Sequence, residues 1–327
     1  MSPRHRKLLP WIALFVIYVV WGSTYLAIRI VVREVPPMAA ASLRFLAAGL
    51  VMGTLALRVD RGQGRPTARQ WLDYAVIGIL LLAGGNGLVM WAETRISSGV
   101  ASLVVATVPL WLTFFDGLRP GGKPWTTRVW IGTAVGLLGV ALVARPGGAG
   151  VDAGHWPAIL GLEGATLAWT AGALYSQSVR RRLPVFSASA VEMVAGSVVL
   201  LGESRLMGED LGLFRTASAH AWLGLLYLAV FGSLVGFTAF AYCLNELPAS
   251  TVGTYAYVNP VVAVALGRIV LGEPLSAGIV GGATLILLAV VLSTTRRTAA
   301  ASAAPERAPE PNAPPLQEEA EAQAHSA

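Results

Sequence analysis

Apolar runs of about 20 residues recur along nearly the whole chain, the length that crosses the roughly 30 Å hydrocarbon core of a bilayer. They fall at 9–29, 37–58, 70–92, 97–118, 128–145, 155–179, 185–204, 219–244, 248–271 and 275–295. In hydrocarbon every backbone N–H and C=O must be bonded within the protein, so such runs become helices. With 55% hydrophobic and only 13% charged residues, a soluble domain on a single anchor is excluded. The expected fold is an all-α integral membrane protein of ten transmembrane helices.

Basic residues sort by side. With the N-terminus inside, inner segments carry fifteen Arg and Lys, among them Arg58, Arg61, Arg65, Arg69, Arg180, Arg181 and Arg182. The outer segments carry seven: Arg29, Arg33, Arg95, Arg145, Arg205, Arg215 and Arg268. That bias predicts both termini in the cytoplasm. The net charge of +6 therefore reads as topology, and no basic and aromatic interleaving points to nucleic acid. Arg4, Arg6 and Lys7 precede the first run as in a signal sequence, but no small-residue cleavage site follows, so the first helix is expected to stay. The lone Cys243 excludes an intrachain disulfide.

The chain also repeats itself. Arg44 and Glu192 lie 148 residues apart, as do Trp21 and Trp169. Gly85 and Gly236 are 151 apart, Pro124 and Pro274 150, Gly132 and Gly282 150. Five spans per copy is an odd number, so the second copy must cross the membrane in the opposite sense. The reading is two inverted five-helix repeats with a site near the midplane between them. The expected organisation is a cytoplasmic N-terminal segment 1–8, repeats 9–145 and 155–295 with an external linker 146–154, and a disordered cytoplasmic tail 296–327 rich in Ala, Pro and Glu.

Two stretches, 96–124 and 247–274, each carry a proline mid-span, Pro109 and Pro260, 151 residues apart. Proline removes one helical hydrogen bond and frees a carbonyl. Thr251, Thr254, Tyr255, Tyr257 and Asn259 crowd the second, which predicts paired broken helices acting as gates or lining a pathway. The plainer reading is two kinked packing helices.

The runs VVWGSTYLAIRI, SLRFLAAG, ISSGVASLVVATVPLWLTFF, TYAYVNPVVAVALG and LGEPLS resemble the EamA-type permeases of the drug/metabolite transporter superfamily, over about residues 9–295. The resemblance implies a ten-helix inner-membrane carrier of two inverted repeats that exports or exchanges small metabolites. It does not imply one substrate. Where LGEPLS has Glu273, the first half has Lys123, as suits a loop on the inner side.

Charges at membrane depth are functional candidates. Arg44, Glu163 and Glu192 are such charges. Arg44 and Glu163 enter from the outer side to similar depth, so they are expected either to form a structural pair or to serve a substrate carboxylate or phosphate and a gate. Glu163 and Glu192 are the candidate proton-coupling groups, Glu192 the better one because no deep base pairs with it. Desolvation favours the neutral form of a carboxyl, which makes a proton the natural coupling ion. Trp21, Tyr25, Arg44, Asn86, Trp169, Tyr255, Tyr257 and Asn259 form the candidate substrate-binding set. Against that stand core filling for Trp21, Trp111 and Trp169, and tight helix packing for the AGGNG run around Asn86.

An enzyme is not expected. His5, His155, His220 and His325 lie in loops, tails or span ends, and no metal-binding or phosphate-cradling motif is present. No cofactor or metal is expected. The expected partners are a small-molecule substrate and the lipid bilayer, and oligomeric state is not legible. A coupled exporter of amino acids or amphipathic compounds is the primary reading, and an uncoupled facilitator or channel for small solutes the alternative.

Overall fold

The computed structural model describes residues 3–60, 66–118, 125–145, 155–179, 182–247 and 249–302. Lys123 and Pro124, the linker 146–154, and the tail from 303 lie outside the described residues. The tail expected from 296 is helical as far as Ser302. Met1–Thr294 form one unit.

All regular structure among the described residues is helical. In order the elements are α1 (Pro3–Val31), α2 (Pro37–Val59), α3 (Ala68–Gly78), π1 (Ile79–Gly87), α4 (Leu88–Ala92), α5 (Ser98–Val105), α6 (Val108–Asp116), α7 (Thr127–Val143), α8 (Trp156–Ser178) and α9 (Val185–Leu206). There follow α10 (Leu213–Thr216), α11 (Ala219–Tyr227), π2 (Leu228–Val235), α12 (Gly236–Glu246), α13 (Ala249–Val252), α14 (Tyr255–Leu271) and α15 (Ala277–Ser302). Six helical stretches are long and apolar enough to span a membrane: Leu8–Val31, Pro37–Val59, Ala68–Ala92, Ser98–Asp116, Val185–Leu206 and Ala219–Phe240. Thr127–Val143, Tyr255–Leu271 and Ala277–Leu292 are shorter apolar helices. Large apolar side chains such as Leu57, Leu138, Leu160 and Ile269 stand exposed around the outside, while Phe45, Met90, Met193 and Leu200 fill the interior. An apolar exterior on that scale is a lipid-facing surface.

The helices run past each other on glycine. Along α2 and α9 the close approaches are Ser42 to Ser197, Gly49 to Met193 and Gly53 to Ala190, so the two helices are antiparallel. Along α7 and α15 they are Gly136 to Ala289, Gly139 to Ile286 and Val143 to Gly282, again antiparallel. α1 passes α11, π2 and α12 through Val31 to Gly224, Thr24 to Gly232 and Trp21 to Gly236. α8 passes α4, π1 and α3 likewise: Gly161 to Trp91, Gly164 to Leu88, Trp169 to Gly85 and Gly172 to Leu81. Small residues let backbones close to this distance, the packing that association in lipid depends on.

Helix ends are held by acids from elsewhere in the chain. The first N–H groups of a helix lack partners and carry partial positive charge. Glu34 accepts from the Ser218 N–H (2.7 Å) and hydroxyl (2.7 Å) before α11, and Asp60 from the Ser187 N–H (2.9 Å) and hydroxyl (2.7 Å) in α9. Glu209 accepts from the Met38 and Ala39 N–H groups (3.0 and 2.9 Å) in α2. Glu273 accepts from the Ser98 N–H and hydroxyl (both 2.9 Å) and the Gly99 N–H (3.2 Å) in α5. Gly272, left-handed at φ 66°, ends α14 and turns the chain so that Glu273 reaches α5.

Candidate functional site

The runs 70–92 and 219–244 are not uninterrupted α-helices. Each contains a π-helical stretch, and π1 and π2 begin at Ile79 and Leu228, 149 residues apart. A π turn inserts a residue and leaves backbone groups to be satisfied by side chains, which is why such turns collect at functional sites. Here the Asn86 amide donates to the Leu81 carbonyl at 3.4 Å and the Ser233 hydroxyl to the Leu228 carbonyl at 3.2 Å, each five residues back.

Arg44, on α2, is 3% exposed and docks on π2. Its Nε donates to the Ser233 Oγ at 3.0 Å, and its Nη1 has no hydrogen-bond partner. A Cβ at Gly232 would meet the Arg44 Nη2 and the Thr24 methyl, each at 3.0 Å, so a larger residue there would push the guanidinium aside. Trp21, on α1, donates from Nε1 to the Gly232 carbonyl at 3.2 Å. Its rings lie 5.2 Å from those of Tyr255 and of Phe240 and 5.7 Å from Phe237. With its amide nitrogen turned toward them, Asn259 donates to the carbonyls of Tyr18 (3.3 Å) and Tyr255 (3.1 Å), fastening α14 to α1. Trp21 and Arg44 thus meet at π2, Tyr255 packs on Trp21, and Asn259 binds α1 one turn away at Tyr18. Phe237, Phe240 and Ser233 join them, and the FGSLVGF run of small residues between phenylalanines in mid-span is the signal that would have found them.

A second group surrounds π1. Trp169 packs on Gly85, Ala168 on Gly84, and the Glu192 backbone lies against Gly78. The glycines of the AGGNG run are a packing surface, and the half-buried Asn86 amide makes one long bond, to Leu81 in its own turn. Tyr25 and Tyr257 pack at the edge of the main core.

Arg44 and Glu163 do not pair. Arg44 faces π2, whereas Glu163 on α8 accepts from Trp111 Nε1 at 3.1 Å and from the Thr166 hydroxyl at 3.4 Å. Its Oε1 is buried without a partner. Equal depth along two helices does not bring their side chains to one azimuth, and the facing partner differs in each case.

The helix breaks lie upstream of the prolines. α5 ends at Val105 and α6 begins at Val108, with Pro109 in the first turn of α6. α14 runs unbroken through Pro260, and its break from α13 is at Gly253–Thr254. At both breaks a threonine hydroxyl donates to the carbonyl three residues back, Thr107 to Val104 (2.7 Å) and Thr254 to Thr251. The same bond occurs inside unbroken helices, at Thr24 and Ser197 for example, so it satisfies a carbonyl at the break rather than causing it.

One acid near a span end is more buried than its position in the sequence suggests. Glu93, after α4, is 0% exposed, and neither carboxyl oxygen has a partner among the described residues.

These features define a multi-pass helical membrane protein with polar groups gathered at irregular turns in its interior. The family model of the EamA-like transporter family matches residues 9–145 and again 156–295, and the chain belongs to that family. It is 42% identical over 276 residues to the uncharacterized inner membrane transporter YedA of Escherichia coli strain K12, covering 84% of this chain and 87% of that one. It is 26% identical over 273 residues to a probable terminal-alkyne amino-acid exporter of Streptantibioticus cattleyicolor, covering 83% of this chain and 89% of the exporter. A solved crystal structure shares the fold at a TM-score of 0.60 with 23% identity, over 88% of this chain and 97% of that one.

Proposed function

We propose that the protein is an inner-membrane secondary transporter that exports small metabolites bearing a carboxylate, amino acids or amphipathic acids, by alternating access between two inverted five-helix repeats. The observation that carries this reading is the Arg44 guanidinium, buried on the π2 turn, 4.6 Å over the Phe45 ring, with its Nη1 amino group free of any hydrogen-bond partner. A charge kept away from water needs a partner. A substrate carboxylate at Nη1 supplies one, and the rings of Trp21, Phe237, Phe240 and Tyr255 suit the apolar or cationic remainder of an amphipathic solute. The amino-acid exporter among the relatives supports the same substrate class.

Inversion of the repeats is supported by the corresponding helices α2 and α9, and α7 and α15, which meet antiparallel. Ten crossings with both termini cytoplasmic follow from that inversion and from the arginine bias. Glu192 is the proton-coupling group on this reading, with Glu163, held by Trp111 and Thr166 rather than by Arg44, as the alternative. An uncoupled facilitator remains the second reading, favoured if the remaining bond capacity of Arg44 serves only closure. Accumulation of labelled amino acids in everted vesicles under an imposed pH gradient separates the two: coupled export concentrates solute inside, and a facilitator only equilibrates it. Reporter fusions at the 62–64 loop and at the C-terminus should behave as cytosolic, and one at Gly148 as external.

A further inference from the structure

The end of the bundle at which α1, α4 and α14 finish and α5 begins holds an acid that the proposed cycle does not use. Glu93 has 0% exposure and two carboxyl oxygens without hydrogen-bond partners. Arg29 of α1 is beside it, yet its Nη1 donates to the backbone carbonyl of Glu93 rather than to the carboxyl, and its Nε has no partner. A carboxylate so placed would be a charge with no donor, in a site that water does not reach, which folded proteins avoid by neutralising the group.

The surroundings settle the form the group takes. From α1, Tyr25 and Arg29 face it, with Arg33 next along. From the segment after α14 comes Glu273. α8 presents Gly161 and Gly164 to α4, and α2 presents Met38 to the Gly87 turn, none of them titratable, while α9 brings Glu203 to that turn, its Oε2 3.8 Å from where a Cβ at Gly87 would sit. On its own segment Arg95 turns away, its guanidinium 4.4 Å from the centre of the Trp91 ring. Burial first, and the neighbouring Glu273 second, hold the Glu93 carboxyl well above the ordinary carboxylate range, with Arg29 opposing. Glu273 is the acid that closes this end, by its three bonds to Ser98 and Gly99 at the start of α5. Only residues 94–97 separate Glu93 from that helix start.

We propose that Glu93 is a proton-binding site: its carboxyl keeps a proton while this end is closed, and gives it to water when Glu273 leaves α5 and the end opens. No covalent bond other than the O–H changes, and the released proton enters the adjoining aqueous phase. The closed state is then favoured by acid. A group whose closed-state affinity for protons is raised stabilises closure fully below its open-state pKa, and that contribution is lost as pH rises through the closed-state value. This inference rests on the transporter reading and on this end facing outward, and it is independent of Glu192.

The test uses the full-length chain in liposomes, carrying Cys243→Ser and a single reporter Val264→Cys. Val264 is half-buried and lines a small cleft with Ser97, Gly99 and Glu273. The initial rate of alkylation by a membrane-impermeant maleimide is compared with and without Glu93→Gln, at matched pH, so that reporter thiol chemistry cancels. The rate with Glu93 intact divided by the rate with Glu93→Gln should be near unity at about pH 5.5 and rise at least about fivefold by about pH 9. A ratio that stays constant with pH overturns the proposal. Adding the reagent to each compartment in turn reports which side this end faces, so a wrong topology is told apart from a wrong proton site. If Glu93→Gln does not fold, infrared spectroscopy of the otherwise unmodified protein gives the second reading. A protonated-carboxyl band present at neutral pH and displaced by Glu93→Asp supports the site, and the absence of such a band overturns it.

Discussion

The Nε of Arg44 donates to the hydroxyl of Ser233 at 3.0 Å, joining the second helix of the chain to a π turn almost 190 residues further on. Ser233 passes the bond to Leu228, so one hydroxyl both orders the π turn and orients the guanidinium. Ser233→Ala leaves a buried N–H and a carbonyl unsatisfied, which costs about 1–3 kcal/mol. Thermal unfolding in detergent should show a fall of several degrees, with transport reduced further than the loss of folded protein explains. Arg44→Lys should not rescue it, since an ammonium cannot reproduce the fork that reaches Ser233 and a carboxylate together.

The two tryptophans 148 residues apart meet the two glycines 151 residues apart, Trp21 on Gly236 and Trp169 on Gly85. A Cβ at Gly85 would sit 3.0 Å from the Trp169 ring, and at Gly236 closer still to the Trp21 indole nitrogen. Overpacking of this kind costs about 1–3 kcal/mol. Gly236→Ala is expected to impair both stability and transport, because it also disturbs the bond from Trp21 to Gly232. Gly85→Ala should lower the melting temperature with a smaller effect on transport. Equal effects on transport would mean that the two turns carry equal shares of the site.

Much of this was legible. The offsets of the tryptophans and glycines are legible in the sequence, and the structure sets Trp21 on Gly236 and Trp169 on Gly85; Arg44 and Glu192 stand out as charges in apolar runs. What was not legible follows from geometry that spacing does not encode. Depth placed Arg44 level with Glu163, but azimuth turned one to Ser233 and the other to Trp111. Pro109 marks a break where α5 ends, at the Val105 carbonyl that it frees, but spacing does not show that α14 runs through Pro260 and parts from α13 at Gly253–Thr254. Nothing in the spacing singles out Glu93, at the end of an apolar run, because its neighbours Arg29 and Glu273 come from far away in the sequence.

Glu34 gives a sign-definite pH dependence. The Ser218 N–H and hydroxyl hold its carboxyl below the ordinary carboxylate range. The bonded form is the anion, so its contribution to stability is present above the unfolded pKa, about 4.3, and is lost as pH falls through the lower folded value. Melting temperature recorded down through that window should fall less steeply for Glu34→Gln than for the unaltered protein. Parallel curves would mean that Ser218 caps α11 without it.

Glu192→Gln tests coupling. On the proposed cycle it abolishes accumulation driven by a pH gradient and spares exchange of solute for solute, which moves no net proton. Undiminished pH-driven accumulation would remove Glu192 from the mechanism and leave Glu163 as the coupling candidate.

The central claim is that Arg44 receives the carboxylate of a transported metabolite, and counterflow in proteoliposomes tests it most directly. Vesicles preloaded with unlabelled amino acids are presented with a panel of labelled amphipathic amino acids and with their decarboxylated amine analogues. The account predicts stimulated uptake of at least one amino acid and little of its amine. It also predicts a loss of at least about tenfold, some 1.4 kcal/mol of binding, in Arg44→Gln protein that remains folded. Exchange of the amine as fast as the amino acid, unaffected by Arg44→Gln, would contradict it.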